Sequence, residues 1–308
     1  MPEPAGLAPA APSPDPAAVA GFVAARERVE RAIAQACARS GRDPATITLV
    51  AVGKTVDPAR LQAAVAAGLT VIGENRVQEA QEKAPAVPGA QWHLVGPLQA
   101  NKARRALAIF DVIESVDSVA LAVRLDRISG ELRPGRPLPI LLQVNVDEDP
   151  AKAGFAPDDL ADALPTLLRL ANLELGGLMT VGRVVAGAEE ARSTFRALRV
   201  LSERLRGPAP EVADAGEPAA VSSRRLGPAL SMGMSGDYPI AIEEGATLVR
   251  VGRAIFGERA SATREGAAAG FAPGAEPGFA PGADAGFASG TEPEPAPGPT
   301  RPVVIERA

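Results

Sequence analysis

Eight short apolar runs recur along the middle of the chain, most of them separated by a segment of helical composition, and that rhythm restricts the available folds more than any other feature. The runs are 47–52 (ITLVAV), 70–74 (TVIGE), 91–96 (QWHLVG), 111–116 (DVIESV), 140–146 (ILLQVNV), 173–180 (LELGGLMT), 228–234 (PALSMGM) and 247–252 (TLVRVG). Helical patterns lie between them, among others at 57–67, 75–84, 100–108, 158–170 and 188–206, and one more precedes them at about 17–39. Apolar strands joined by helical crossovers make a parallel sheet, and eight of them close it into a barrel. The expected fold class is therefore α/β, a single (β/α)8 TIM barrel with an extra N-terminal helix. A doubly wound open sheet is the competing architecture. Its first βα turn should carry G-x-G-x-x-G, whereas Gly53 stands alone before Lys54.

The flanks differ in composition. Residues 1–16 (MPEPAGLAPAAPSPDP) are rich in Ala and Pro and lack the basic and apolar regions of a signal peptide. From about Ser261 the chain repeats GFAPGAEP, GFAPGADA and GFASGTEP, units too short and too rich in Gly and Pro to bury a face. The expected organisation is a disordered N-terminus at 1–16, a barrel at 17–260 and a disordered tail at 261–308. A net charge of -5 gives no overall attraction to nucleic acid. No apolar run reaches the length of a membrane span, so a cytoplasmic protein is expected. The single cysteine, Cys37, excludes an internal disulfide, fits a reducing compartment and reads as a buried, inert thiol; the single histidine, His93, excludes a His-based metal cluster.

In a barrel of this kind chemistry sits at the C-terminal ends of the strands, with phosphate favoured after strands 7 and 8. "VAVGKTVDPA" ends strand 1 with Gly-Lys-Thr. A Walker A loop would need glycine at position 48, where Thr48 lies inside the strand, so the phosphate-loop reading fails. Lys54 shares parity with Val50 and Val52. A partly desolvated lysine at a rim is a nucleophile toward aldehydes, and from position alone that role and a lysine reaching out to water are equally open. The far end of the barrel separates them. "SMGMSGDYPIAI" and "VGRAIFGER" are Gly-rich turns into helices after strands 7 and 8, which suits a phosphate dianion. Arg250, on the parity of Gly252, points inward and needs a partner there, either a ligand or a carboxylate such as Glu74. A lysine, a phosphate cradle and an inward arginine together describe pyridoxal 5′-phosphate (PLP) better than a sugar phosphate.

With those residues placed, "LVAVGKT", "GENRVQEAQEK", "WHLVGPLQANK", "VNVDEDPAKAGF", "GLMTV" and "LSMGMSGDYPIAIEEGATLVRVGRAIFGER" resemble, in order and over about residues 20–258, the pyridoxal phosphate homeostasis (YggS/PROSC) family. The resemblance implies a barrel of the alanine racemase N-terminal-domain type that holds PLP as a lysine Schiff base, without established turnover, and takes part in PLP and amino-acid homeostasis. It implies Lys54 as the covalent lysine, and Ser231 with the backbone of Gly252 and Arg253 as the phosphate cradle. Arg250 would face the pyridine nitrogen, with Asn75 and Met179 beside the ring. Many relatives carry Ser at the place of Gly53 and Thr at the place of Arg253, which would remove a hydroxyl from the phosphate side.

PLP-dependent apo-enzymes are candidate recipients, no nucleic acid or membrane partner is expected, and a monomer is expected. Trp92 reads as packing, Lys102, Arg104 and Arg105 as a solvated basic face, and His93 as a core histidine or a ligand contact. Lys152 is a candidate for a second anion. The rival readings are a PLP-dependent racemase or decarboxylase on the same barrel, a Schiff-base aldolase acting on a sugar phosphate, and an interaction protein working through its tail. Racemisation needs an acid/base group on each face of the cofactor, and the only tyrosine, Tyr238, follows strand 7 on the phosphate side.

Overall fold

The strands close in sequence order, each parallel to its neighbours, with β1 (Thr48–Val52) completing the ring against β8 (Leu248–Val251). Between them run β2 (Val71–Glu74), β3 (Gln91–Leu94), β4 (Val112–Val116), β5 (Leu138–Gln143), β6 (Leu173–Met179) and β7 (Ala229–Met234). The structure is a computed structural model and describes residues 13–183, 186–207 and 224–257. The expected tail at 261–308 and most of the expected disordered N-terminus lie outside the described residues.

The helices among the described residues are α1 (Pro16–Ser40), α2 (Pro58–Ala66), α3 (Val77–Lys83), α4 (Ala103–Leu107), α5 (Val119–Leu132), α6 (Pro157–Leu168), α7 (Arg192–Leu205), α8 (Tyr238–Glu243) and α9 (Arg253–Phe256). The start of α1 is written into "DP": the Asp15 carboxylate accepts from the Ala17 N–H and Pro16 takes the first helical position. Its stop is Gly41, left-handed at φ 66°. Phe22, Val29, Ile33 and Cys37 form its buried stripe, and Phe22 meets Phe256 edge to face with ring centroids 5.5 Å apart. Cys37 is fully buried, and burial pushes its thiol up, as an inert cysteine requires.

Boundaries moved where local signals were weak. The helices expected at 100–108 and 188–206 begin instead with 3-10 turns at Ala100–Lys102 and Ala188–Ala191, without a side-chain cap. Strand β5 starts two residues earlier than its apolar run and includes Pro139, which pairs with Glu174. Strand β6 carries a bulge: Ile140 pairs with Leu175 and Leu141 with Gly177, which leaves Gly176 over.

Outward residues such as Ala51, Ile72, Leu94, Ile113, Ile140, Leu178 and Val251 pack under the helices in one apolar cluster. The inner face is narrow between β1 and β3, where a Cβ on Gly73 would stand 2.9 Å from Val50 Cγ1 and 3.5 Å from Val95 Cγ1.

Outside the barrel an ionic network ties α7 to α8 and α1. Arg192 bonds Glu243 at 2.7 Å and Glu244 at 3.1 Å, Arg39 bonds Glu243 at 2.6 Å, and Arg196 bonds Glu244 at 3.0 Å. Hydrogen bonds from Arg192 and Arg39 hold Glu243 below the usual carboxylate range. Burial pushes Glu244 up, but Arg196, Arg192 and Arg199 outweigh it and hold it low as well. A carboxyl lowered in the folded state contributes stability above its unfolded range and loses it as pH falls through the folded one. Glu74 opposes this trend, because burial raises it and a raised carboxyl favours the fold as pH falls. The urea midpoint should therefore hold from neutral pH to about pH 5 and fall below about pH 4. Glu244→Gln should make that fall shallower; parallel curves for wild type and variant would detach the network from the acid transition.

Candidate functional site

The chain brings five strand ends together at the C-terminal rim. Lys54 follows β1 in the turn Gly53 to Val56, closed by Val56 N–H to Gly53 O at 3.0 Å. It is exposed, not partly buried as its parity suggested, and makes no hydrogen bond or ion pair among the described residues. A Cβ on Gly53 would stand 2.7 Å from Leu61 Cδ2, so a serine here would need Leu61 to move. Asn75 follows β2 half-buried; its backbone lies so close to Gly96 that a Cβ there would be 2.3 Å from Asn75 O. Met179 ends β6, fully buried and in register with Gln143 and Ser231.

The loops after β7 and β8 are joined by Ser235, whose Oγ accepts from the Gly252 N–H at 3.2 Å. Gly252 also lies close to β1, where an added Cβ would be 3.3 Å from Val52 O. Arg253 opens α9 with an exposed side chain, and the first-turn amides of a helix have no acceptor within it. Lys54 and this loop therefore belong to neighbouring strand ends.

Ser231 lies elsewhere. It is fully buried in mid-strand, where its hydroxyl donates to Glu114 Oε2 at 2.5 Å and accepts from Arg250 Nη1 at 2.6 Å. With those bonds made inside the barrel it is not the hydroxyl of the rim. The hydroxyl that bonds the β8 loop is that of Ser235, which stands in the same "SMGMS" motif just past the strand and was not among the residues expected at the site.

Below the rim a polar chain crosses the barrel interior. Arg250 is 5% exposed, and its Nη2 donates to Thr180 O at 2.7 Å. His93 Nδ1 lies 2.7 Å from Glu114 Oε1, while its Nε2 is buried without a partner among the described residues. Burial pushes Glu114 up, but the hydrogen bond and charge of His93, the Arg250 cation and Ser231 outweigh it and hold the carboxyl below the usual range. Burial lowers Arg250, against the charges of Glu114 and Asp237, and a guanidinium in that company keeps its proton. Glu74, given as an example of a carboxylate that could partner Arg250 in place of a ligand, faces outward instead, 2.7 Å from Lys83 Nζ. Glu114 was not singled out, although a glutamate inside the apolar run DVIESV is buried on either face and has to be paired.

Lys152 is already engaged, with Asp147 at 3.6 Å, Asp149 at 3.9 Å and Val181 O at 3.2 Å, so it presents no vacant anion site. Trp92 is buried in the core and Arg104 pairs with Glu131. Tyr238 is buried and burial pushes its hydroxyl up, which does not suit a base at an open rim. A depression of about 520 Å³ between Pro85, Trp92 and Asp111 lies at the opposite, N-terminal face and is lined by neither Lys54 nor the β7 and β8 loops.

Residues 31–260 match the family described as alanine racemase, N-terminal domain. The chain is 39% identical over 237 residues to a pyridoxal phosphate homeostasis protein of Pseudomonas aeruginosa, covering 75% of this chain and 93% of that one. A second such protein, from Synechocystis, is 39% identical over 220 residues, 70% of this chain and 93% of its own. The chain belongs to the pyridoxal phosphate homeostasis protein family. Among solved structures it is similar to PipY of Synechococcus elongatus with PLP bound, at a TM-score of 0.60 and 42% identity over 73% of this chain and 100% of that one. Alanine racemase of Clostridium difficile, at 15% identity and a TM-score of 0.51, shares the fold alone. On that barrel the rim of this chain carries an exposed lysine after β1 and two loops, after β7 and β8, joined by the Ser235–Gly252 bond. Among the described residues no helix is long and apolar enough to cross a membrane.

Proposed function

We propose that this protein binds PLP at the C-terminal rim, holds it covalently on Lys54, and serves PLP homeostasis without catalysing net turnover. The observation that carries the reading is the placement of the exposed Lys54 and the Ser235–Gly252 bridge at adjoining strand ends. The residues fit the cofactor. The exposed Lys54 amine, in its neutral form, adds to an aldehyde carbon: the C–N bond forms, both amine protons go to the carbonyl oxygen, and that oxygen leaves as water. The amides of Gly252 and Arg253 and the Ser235 hydroxyl are the groups for the phosphate. PLP would supply an aldehyde and an electron sink there.

Arg250 underlies the site as a retained cation, which keeps a facing pyridine nitrogen unprotonated and the sink weak. Asn75 and Met179 would border the ring. The absence of turnover is supported by the burial of Tyr238. The PLP-bound PipY relative and the names of the curated relatives support a PLP-binding role. The reading adds PLP-dependent apo-enzymes as recipients and a monomer as the working form.

The test is borohydride reduction of the PLP-loaded protein followed by peptide mapping. The reduced pyridoxyl group should fall on Lys54 and be absent from Lys54→Ala, which should also lack the visible absorption of wild type. Label spread over several surface lysines, or an unchanged spectrum in Lys54→Ala, would remove Lys54 from the role. Measurable racemisation or decarboxylation of amino acids by the loaded protein would move it to the enzymes.

A further inference from the structure

The turn that carries Lys54 is gripped from both sides by one helix. Before Lys54, the Gly53 carbonyl accepts from Lys83 Nζ at 3.0 Å, in addition to its bond from Val56. After it, the Thr55 N–H donates to Glu79 Oε2 at 3.1 Å. Glu79 and Lys83 stand one turn apart on α3 and approach each other at 3.5 Å, and Lys83 is anchored beneath by the fully buried Glu74 at 2.7 Å. Thr55 adopts φ 64°, a left-handed conformation that a β-branched residue does not keep without being held there. The Gly53 N–H is fixed to Gly73 O at 2.9 Å. Both peptide groups flanking Lys54 are thus fixed while its side chain bonds to nothing among the described residues.

We propose that Glu79 and Lys83 are positioning residues for Lys54: they hold the strained turn so that the lysine amine is presented to the ligand at the neighbouring β8 loop. This rests on Lys54 being the covalent lysine. Neither residue contacts that loop, and each acts only through the backbone beside Lys54. Without the Glu79 bond, Thr55 relaxes toward negative φ, the turn reopens and the amine leaves its place. The phosphate cradle, on β7 and β8, is untouched.

That separation sets the experiment. Wild type, Glu79→Ala and Glu79→Gln are compared in two measurements: the rate at which PLP forms the borohydride-reducible product, and the affinity for pyridoxine 5′-phosphate, whose alcohol cannot condense with an amine. Misplacing a reacting group by about 1 Å can cost on the order of a hundredfold, so Glu79→Ala is expected to slow condensation roughly tenfold or more. Its affinity for the alcohol should stay within about twofold of wild type. Glu79→Gln keeps an oxygen for the Thr55 N–H and should recover most of the rate. Lys83→Arg is the companion variant on the other side of the turn, and it keeps a cation against Glu74. Condensation at the wild-type rate in Glu79→Ala, or an equal loss of rate and alcohol affinity, would overturn the positioning role. If wild type binds the alcohol but never forms the reducible product, the covalent lysine and this inference fall together. If it forms the product and the alanine variant does not differ, only the inference falls.

Discussion

Glu114→Ala is expected to destabilise the fold by about 3–5 kcal/mol, the range for leaving a buried charge without its compensating group. Glu114 is fully buried and accepts from Ser231 on one oxygen while meeting His93 on the other, and the Ser231 hydroxyl in turn accepts from Arg250. Truncation leaves the Arg250 cation in the barrel interior with the charge of Asp237 but without that of Glu114. It also strands the Ser231 hydroxyl proton and one His93 nitrogen. Glu114→Gln keeps the shape and one acceptor but loses the charge, and should cost less, about 1.5–3 kcal/mol. Equilibrium urea unfolding of both variants measures the difference. A cost below about 1 kcal/mol for Glu114→Ala would mean that the chain of polar contacts carries no shared charge balance.

This chain of contacts also marks where the sequence stops being readable. All eight strands were legible because each is a short apolar run with helical composition on its flanks, and closure followed from their number. Lys54, Gly252 and Arg253 were legible as strand-end residues, since parity and loop position follow directly from a parallel barrel. Ser231 was assigned to the rim because "SMGMS" carries two serines and parity does not say how far along β7 the barrel mouth begins. The break at Gly233, where register shifts between Ser231 and Met234, puts one serine inside and the other on the loop. Partners across the barrel were out of reach for another reason. Glu114 and Ser231 are 117 residues apart, and nothing local in either strand says which inner residues share a layer. The same holds for Lys83, whose pairing with Glu74 and Gly53 depends on the angle at which α3 returns over β1 and β2.

Gly233→Ala should unite the two halves of the site in one measurable defect. Gly233 has φ 88°, and a Cβ there would stand 2.5 Å from Ala241 Cβ and 2.9 Å from Tyr238 Cα, both on α8. Left-handed strain of about 1–2 kcal/mol adds to overpacking of about 1–3 kcal/mol. The expected loss of stability is therefore about 2–5 kcal/mol, read from urea unfolding. The strain is relieved by moving α8 outward, and with it the Met234–Asp237 turn, whose Met234 N–H is bonded to Asp237 Oδ1 at 2.6 Å. Ser235 sits in that turn, so its bond to the Gly252 amide goes too, and affinity for pyridoxine 5′-phosphate should fall. Lys54, on the far side of the β8 loop, keeps its geometry, and at saturating PLP the borohydride label should still land on it. Gly236→Ala is the control: an added Cβ meets nothing within 4 Å, and its effect should stay within about 0.5 kcal/mol. If Gly233→Ala loses stability but binds the alcohol as wild type does, the β7 loop is not part of the cradle, and the phosphate is held by the Gly252–Arg253 side alone.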